Sequence, residues 1–128
     1  MESKLTVLLV DDHEGFLNSA KRHFRTVPWI DIVGQALNGL EAIAKTEELK
    51  PAVVLMDLAM PQMGGLQAAR LIKAQTEPPY IIIASHFDDA EHREHAVRAG
   101  ADGFVSKLNY MQEVMSLLDT IRGSLSHV

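Results

Sequence analysis

Three apolar runs in this chain end at a carboxylate or a hydroxyl, and a fourth short segment ends at a lysine. Leu5–Val10 meets Asp11-Asp12, Ala52–Met56 meets Asp57, Tyr80–Ala84 meets Ser85, and Gly103–Ser106 leads to Lys107. Near-continuous apolar runs of this length suit strands that are covered on both faces. Laid side by side as parallel strands, they bring all of these polar groups to one edge of one sheet. Ligands of open α/β sheets bind in the crevice outside the carboxyl ends of the strands, so that edge is the candidate site.

The intervening segments carry a helical period. Phe16, Ala20, Phe24 and Val27 mark a first helix ended by Pro28, and Leu40, Ile43 and Ala44 mark a second closed by Lys50-Pro51. Leu66, Ala69 and Ile72 mark a third that stops before Pro78-Pro79. A fourth runs over about Ala90–Ala99 with Gly100 at its end, and a fifth carries Val114, Leu117, Leu118, Ile121 and Leu125. Strands alternating with helices in this way give five β/α units and an α/β fold with a parallel sheet. Asp31 and Gln35 interrupt Ile30–Ala36, which is therefore expected at one sheet edge, with short Gly103–Ser106 at the other.

A chain of 128 residues has room for one core, so a single domain over residues 1–128 is expected. The absence of cysteine excludes a disulfide framework and a thiolate zinc site. From Met1-Glu2-Ser3-Lys4 no signal peptide is expected, and no apolar stretch approaches the roughly 20 residues that cross a bilayer. A cytoplasmic location away from membranes is expected. A net charge of −5 argues against direct contact with nucleic acid by this domain.

Asp11, Asp12 and Asp57 in a partly desolvated crevice would repel one another, and a hard dication relieves that repulsion. Mg²⁺ suits an all-oxygen donor set and keeps several waters. Asp57 could then act as a nucleophile toward a phosphoryl group, with the Lys107 ammonium and the Ser85 hydroxyl sharing the charge on its oxygens. Each residue taken singly has a plainer reading: a helix cap for the Asp pair, turn chemistry for Asp57, a strand terminator for Ser85 and a solvated charge for Lys107. The joint spacing across four strand ends favours the shared site.

The ordered set Val10-Asp11-Asp12-His13, Met56-Asp57-Leu58-Ala59-Met60-Pro61-Gln62-Met63-Gly64-Gly65, Ala84-Ser85 and Gly100-Ala101-Asp102-Gly103-Phe104-Val105-Ser106-Lys107 resembles the receiver domains of response regulators in two-component signalling. The likeness covers nearly the whole chain, and its wording resembles the NarL/FixJ subgroup. It implies a doubly wound, flavodoxin-like sheet of order 2-1-3-4-5. It implies Asp57 as phosphoacceptor, Asp11, Asp12 and Asp57 with the Ala59 backbone carbonyl as Mg²⁺ ligands, and Lys107 and Ser85 as partners of the phosphoryl group. Ser85 and Phe104 are the implied switch residues, acting on the face made by the fourth helix, fifth strand and fifth helix. The implied partners are a sensor histidine kinase or phosphotransfer protein and a second copy of the receiver. The domain is then expected to be no enzyme beyond its own phosphorylation and slow dephosphorylation.

Relatives of the subgroup usually continue into a helix-turn-helix DNA-binding domain, and this sequence stops at Val128, so transcription output or a stand-alone regulator are both expected outcomes. Ala59, His86 and Leu108 depart from common family choices and bear on dephosphorylation, leaving a weakly phosphorylated protein-binding module as an alternative. A haloacid-dehalogenase-type phosphatase would place its two acids one residue apart, whereas Asp11 and Asp12 adjoin. A flavin-phosphate binder needs a Ser/Thr/Gly-rich loop where Asp11-Asp12-His13-Glu14 stands. His92 and His95, three positions apart, lack the spacing of a zinc-protease helix. His13 is expected to serve its loop and Trp29 to pack.

Overall fold

The computed structural model describes residues 4–125; residues 1–3 and 126–128, where the expected domain limits fall, lie outside the described residues. Strands β1 (Leu5–Val10), β2 (Ile30–Ala36), β3 (Val53–Asp57), β4 (Tyr80–Ser85) and β5 (Gly103–Ser106) alternate with helices. The helices are α1 (Glu14–Phe24), α2 (Gly39–Leu49), α3 (Gly65–Lys73), α4 (Ala90–Arg98) and α5 (Tyr110–Leu125), with a short 3₁₀ turn at Lys107–Asn109. All strand pairs are parallel, in the order β2-β1-β3-β4-β5. This is the doubly wound order anticipated above, with β2 and β5 at the edges. On β2 the register against β1 slips between Val7 and Leu8, a bulge on the exposed edge strand.

Alternation along the strands splits the core in two. Val7, Leu9, Val53, Leu55, Ala84 and Val105 face α1 and α5, where Leu17, Ala20, Phe24, Val114, Leu118 and Ile121 are buried against them. Leu8, Val10, Val54, Met56, Ile81 and Ile83 face α2, α3 and α4 through Ala42, Ala68, Ala69, Ile72 and Ala96. Both faces are covered, which is why the central strands need no polar alternation.

Three helices differ in detail from their sequence pattern. α1 stops at Phe24, and Thr26 and Val27 turn back through bonds to His23 and Phe24; its buried stripe is Leu17, Ala20 and Phe24, with Phe16 only partly buried. α2 buries Gly39, Ala42 and Thr46 while Leu40 stays exposed. Its small side chains let it lie close to α3, and the Thr46 hydroxyl is satisfied by the Ala42 carbonyl at 2.6 Å. α5 begins at Tyr110 and leaves Leu125 exposed.

α4 is the most weakly anchored helix. Of its residues only Ala96 is buried. Its N-terminus is held by Asp89, whose carboxylate accepts the His92 backbone N–H at 2.8 Å. Few buried apolar contacts mark the segments that open or shift at low cost.

Candidate functional site

The register of the central strands builds the site. β1 and β3 pair Val10 with Met56, so the next residues, Asp11 and Asp57, leave the sheet side by side on the α1/α5 face. β4 lies between β3 and β5 and ends at Ser85, opposite Ser106. Lys107 therefore starts two strands away from Asp57, and its four-carbon stem spans the end of β4.

Three strand ends converge as a result. Oxygens of Asp11, Asp12 and Asp57 lie within 4.8 Å of one another. The Lys107 ammonium donates to Asp11 Oδ2 at 2.6 Å and sits 3.0 Å from Asp57 Oδ1. Asp11 and Asp57 are buried, and the Lys107 side chain is only 7% exposed. Burial lifts the Asp57 carboxyl above its ordinary pKa, with help from the charges of Asp11 and Asp12, and Lys107 opposes the rise. Burial also works against the Lys107 charge, but the hydrogen bonds and charges of Asp11 and Asp57 outweigh it and hold the ammonium above its ordinary value.

A cavity of about 630 Å³ opens over these groups, lined by Asp11, Asp12, Asp57, Ser85 and Lys107 together with Ala59. Six of the seven residues singled out from the sequence thus meet or share one wall. Phe104 is the exception. It lies on β5, half-buried on the α2/α3/α4 side of the sheet and so across it from Asp11 and Asp57, paired with Ile83 and covered by the Arg93 guanidinium 4.8 Å from its ring.

Local sequence holds the loops in place. Asp11 Oδ1 accepts the His13 backbone N–H at 2.9 Å. His13, not the Asp pair, caps α1, its Nδ1 accepting the Phe16 N–H at 3.1 Å. After β3 the chain returns so tightly that a Cβ on Gly65 would overlap the Asp57 carbonyl oxygen, which fixes glycine at the start of α3. The Ser85 hydroxyl accepts the Phe87 N–H at 2.9 Å, and the Phe87 ring stacks on His92 with centroids 5.3 Å apart. His86, Phe87 and His92 complete the cavity wall beside Phe16 and Leu58. Sequence reasoning missed Phe16, Phe87, His92 and Tyr110 as neighbours of the site. A helical stripe marks Phe16 as core, and nothing local shows that its ring ends 4.4 Å from the Lys107 ammonium.

This geometry can bind a hard cation and an oxyanion beside the buried Asp57 carboxylate. The family model described as "Response regulator receiver domain" matches residues 7–119. The chain belongs to that family. Among curated relatives, this receiver domain is 36% identical over 111 residues to the transcriptional regulatory protein YhcZ of Bacillus subtilis, covering 87% of the chain and 52% of the relative. It is 34% identical over 110 residues to the response regulator protein VraR of Staphylococcus aureus, covering 86% and 53%. The receiver domain thus spans about half the length of these relatives. Among solved structures it superposes on the signal receiver domain of NarL from Mycobacterium tuberculosis with a TM-score of 0.88 at 26% identity, covering 95% and 98% of the two chains. The response regulator domain of Thermotoga maritima CheB gives 0.83 at 33% identity, covering 98% of each. Among the described residues of the receiver domain, no helix is long and apolar enough to cross a membrane.

Proposed function

We propose that this receiver domain takes a phosphoryl group from a phosphohistidine on a sensor histidine kinase or phosphotransfer protein onto Asp57, in a Mg²⁺-dependent reaction. The observation that carries the proposal is the position of Asp57: a buried carboxylate facing one ammonium and two further acids at the end of a shared cavity. The all-oxygen set of Asp11, Asp12 and Asp57 fits Mg²⁺, with the Ala59 carbonyl as a further ligand. When bound, the ion offsets the negative charge of the acids and of the incoming phosphoryl oxygens.

An Asp57 oxygen forms the new O–P bond as the donor's N–P bond breaks, and the N–P electron pair stays on the donor imidazole, which already carries a proton on its other ring nitrogen and leaves neutral. Lys107 holds a phosphoryl oxygen by charge while still anchored on Asp11. Ser85, on the same wall, donates its hydroxyl proton to another. Phe104 lies on the same side of the sheet as Ser85, two residues back along β5 from its partner Ser106, so a movement of Ser85 opens space toward it. Positioning and preorganised charge supply the rate. A two-state shift driven this way needs a differential of a few kcal/mol between the two forms.

We further propose residues 1–128 as one cytoplasmic receiver unit that pairs with a second copy and leaves nucleic acid to another domain. The names of the transcriptional regulators it resembles support transcription as the output. The test is incubation with acetyl phosphate and Mg²⁺. The expected result is one base-labile acyl phosphate per chain, absent with a chelator and absent in Asp57→Asn. Label that persists in Asp57→Asn overturns the assignment.

A further inference from the structure

Lys107 is held on three sides, and only two of its partners are acids. Asp11 Oδ2 accepts a hydrogen bond from it at 2.6 Å, and Asp57 Oδ1 pairs with it at 3.0 Å. On a third side the face of the Phe16 ring sits 4.4 Å from the ammonium. Phe16 is itself fixed by Tyr110 of α5, whose ring meets it edge to face at 4.8 Å and 75°. Tyr110 is buried, so the support is rigid. An aromatic face carries partial negative charge and attracts a cation within about 6 Å, most strongly where water is scarce. Here the Lys107 side chain is 7% exposed.

We propose that Phe16 is a positioning residue for phosphoryl transfer, acting through Lys107. This rests on the reading of Asp57 as phosphoacceptor. Lysine is a flexible point charge with three rotatable donors and a mobile stem, and in the resting domain Asp57 is one of its anchors. Once the Asp57 oxygen bonds to phosphorus, that anchor loses its charge, just when the ammonium must turn to a phosphoryl oxygen. Asp11 and the Phe16 ring remain. The ring keeps the ammonium from swinging toward water and leaves it free to pivot from carboxylate to phosphoryl group, because attraction to a ring face is less directional than a hydrogen bond. The pairing of Phe16 with Tyr110 places the guide on α1 and its support on α5, the two helices that cover this side of the sheet.

The role differs from simple packing in what it demands of position 16. A packing residue needs volume; a guide for a cation needs an electron-rich face. Phe16→Leu keeps bulk and removes the ring, Phe16→Tyr keeps both, and fluorinated phenylalanine at position 16 keeps shape while draining the ring face. The experiment measures phosphoryl uptake from acetyl phosphate with Mg²⁺ across donor concentration, beside the urea unfolding midpoint of each variant. Phe16→Leu is expected to lower the maximal rate about fivefold to tenfold with the half-saturating donor concentration unchanged. Phe16→Tyr is expected to restore the rate, and increasing fluorination to lower it in steps at constant midpoint. In a Lys107→Ala background, Phe16→Leu should change the rate by less than twofold. Equal rates for Phe16→Leu and wild type overturn the proposal, as does an equal slowing in the Lys107→Ala background or indifference to fluorination. Wild-type protein that takes up no phosphoryl group overturns the reading of Asp57 itself, which is a separate outcome.

Discussion

Gly65→Ala tests how tightly the end of β3 is bound to the start of α3. An added Cβ would stand 3.1 Å from Leu58 Cα and 3.2 Å from the Asp57 carbonyl carbon, and would overlap the Asp57 carbonyl oxygen. All three neighbours are backbone atoms, so no side chain can turn aside, and helix and strand end must part by about an ångström. Such overpacking costs about 1–3 kcal/mol. Stretching the Gly65 N–H bond to the Leu58 carbonyl, 2.8 Å long, adds about 1 kcal/mol. The better helix propensity of alanine returns up to about 1 kcal/mol, leaving a net loss of about 1–3 kcal/mol. That is too little to unfold a domain with 5–15 kcal/mol of stability at the usual scale, so function remains measurable. Because Asp57 is the residue displaced, phosphoryl uptake should fall about tenfold to a hundredfold. Urea denaturation and acetyl phosphate labelling read the two effects. Gly123→Ala is the control: a Cβ there meets nothing within 4 Å, and the helix α5 should gain about 0.4–1 kcal/mol. A Gly65→Ala protein equal to wild type in both assays refutes the steric reasoning.

Asp57→Asn should raise the urea midpoint at neutral pH in metal-free buffer. The folded state holds the Asp57 carboxyl at a raised pKa, so its charge opposes folding above that pKa, and the amide removes the charge in the same shape; a lowered midpoint would contradict this. Lys107 runs the other way. Its folded-state pKa is raised by Asp11 and Asp57, so its contribution is full below the ordinary lysine value and is lost as pH climbs through the folded-state value. Denaturation from pH 8 upward should show an alkaline loss that Lys107→Met lacks. Asn38→Ala should cost about 1 kcal/mol, because Asn38 Oδ1 accepts the Glu41 N–H at 2.9 Å while Glu41 reaches back to the Leu37 N–H at 3.2 Å; circular dichroism melting reads it.

The strand ends were legible because the physics there is local. A doubly covered strand must be apolar until it leaves the core, so Asp11, Asp57, Ser85 and Lys107 announce where each strand stops. The parallel fold then brings together residues as distant as Asp11 and Lys107, 96 positions apart. α2 was misread in its facing because counting large apolar residues points to Leu40, whereas close packing on α3 selects Ala42 and Thr46. His13 as a cap escaped notice because histidine is an uncommon choice there, and the Asp pair beside it has the expected chemistry. Phe16 beside Lys107 was beyond sequence reach for a different reason. Their meeting depends on Lys107 reaching from the end of β5 across to Asp11, beside the start of α1, which a periodicity on α1 alone does not encode.

The light mooring of α4 has a consequence for how such a domain diversifies. Turning the Ser85 hydroxyl toward Asp57 takes its oxygen from the Phe87 N–H, and Phe87 is stacked on His92 of α4. A disturbance at the cavity therefore runs first into the part of the molecule that resists it least. The same helix commits only Ala96 to the interior, so Glu91, His95, Val97 and Arg98 are open to replacement with little penalty in folding. On the proposed reading, the choice of partner can be rewritten along α4 while Asp11, Asp57 and Lys107 stay untouched.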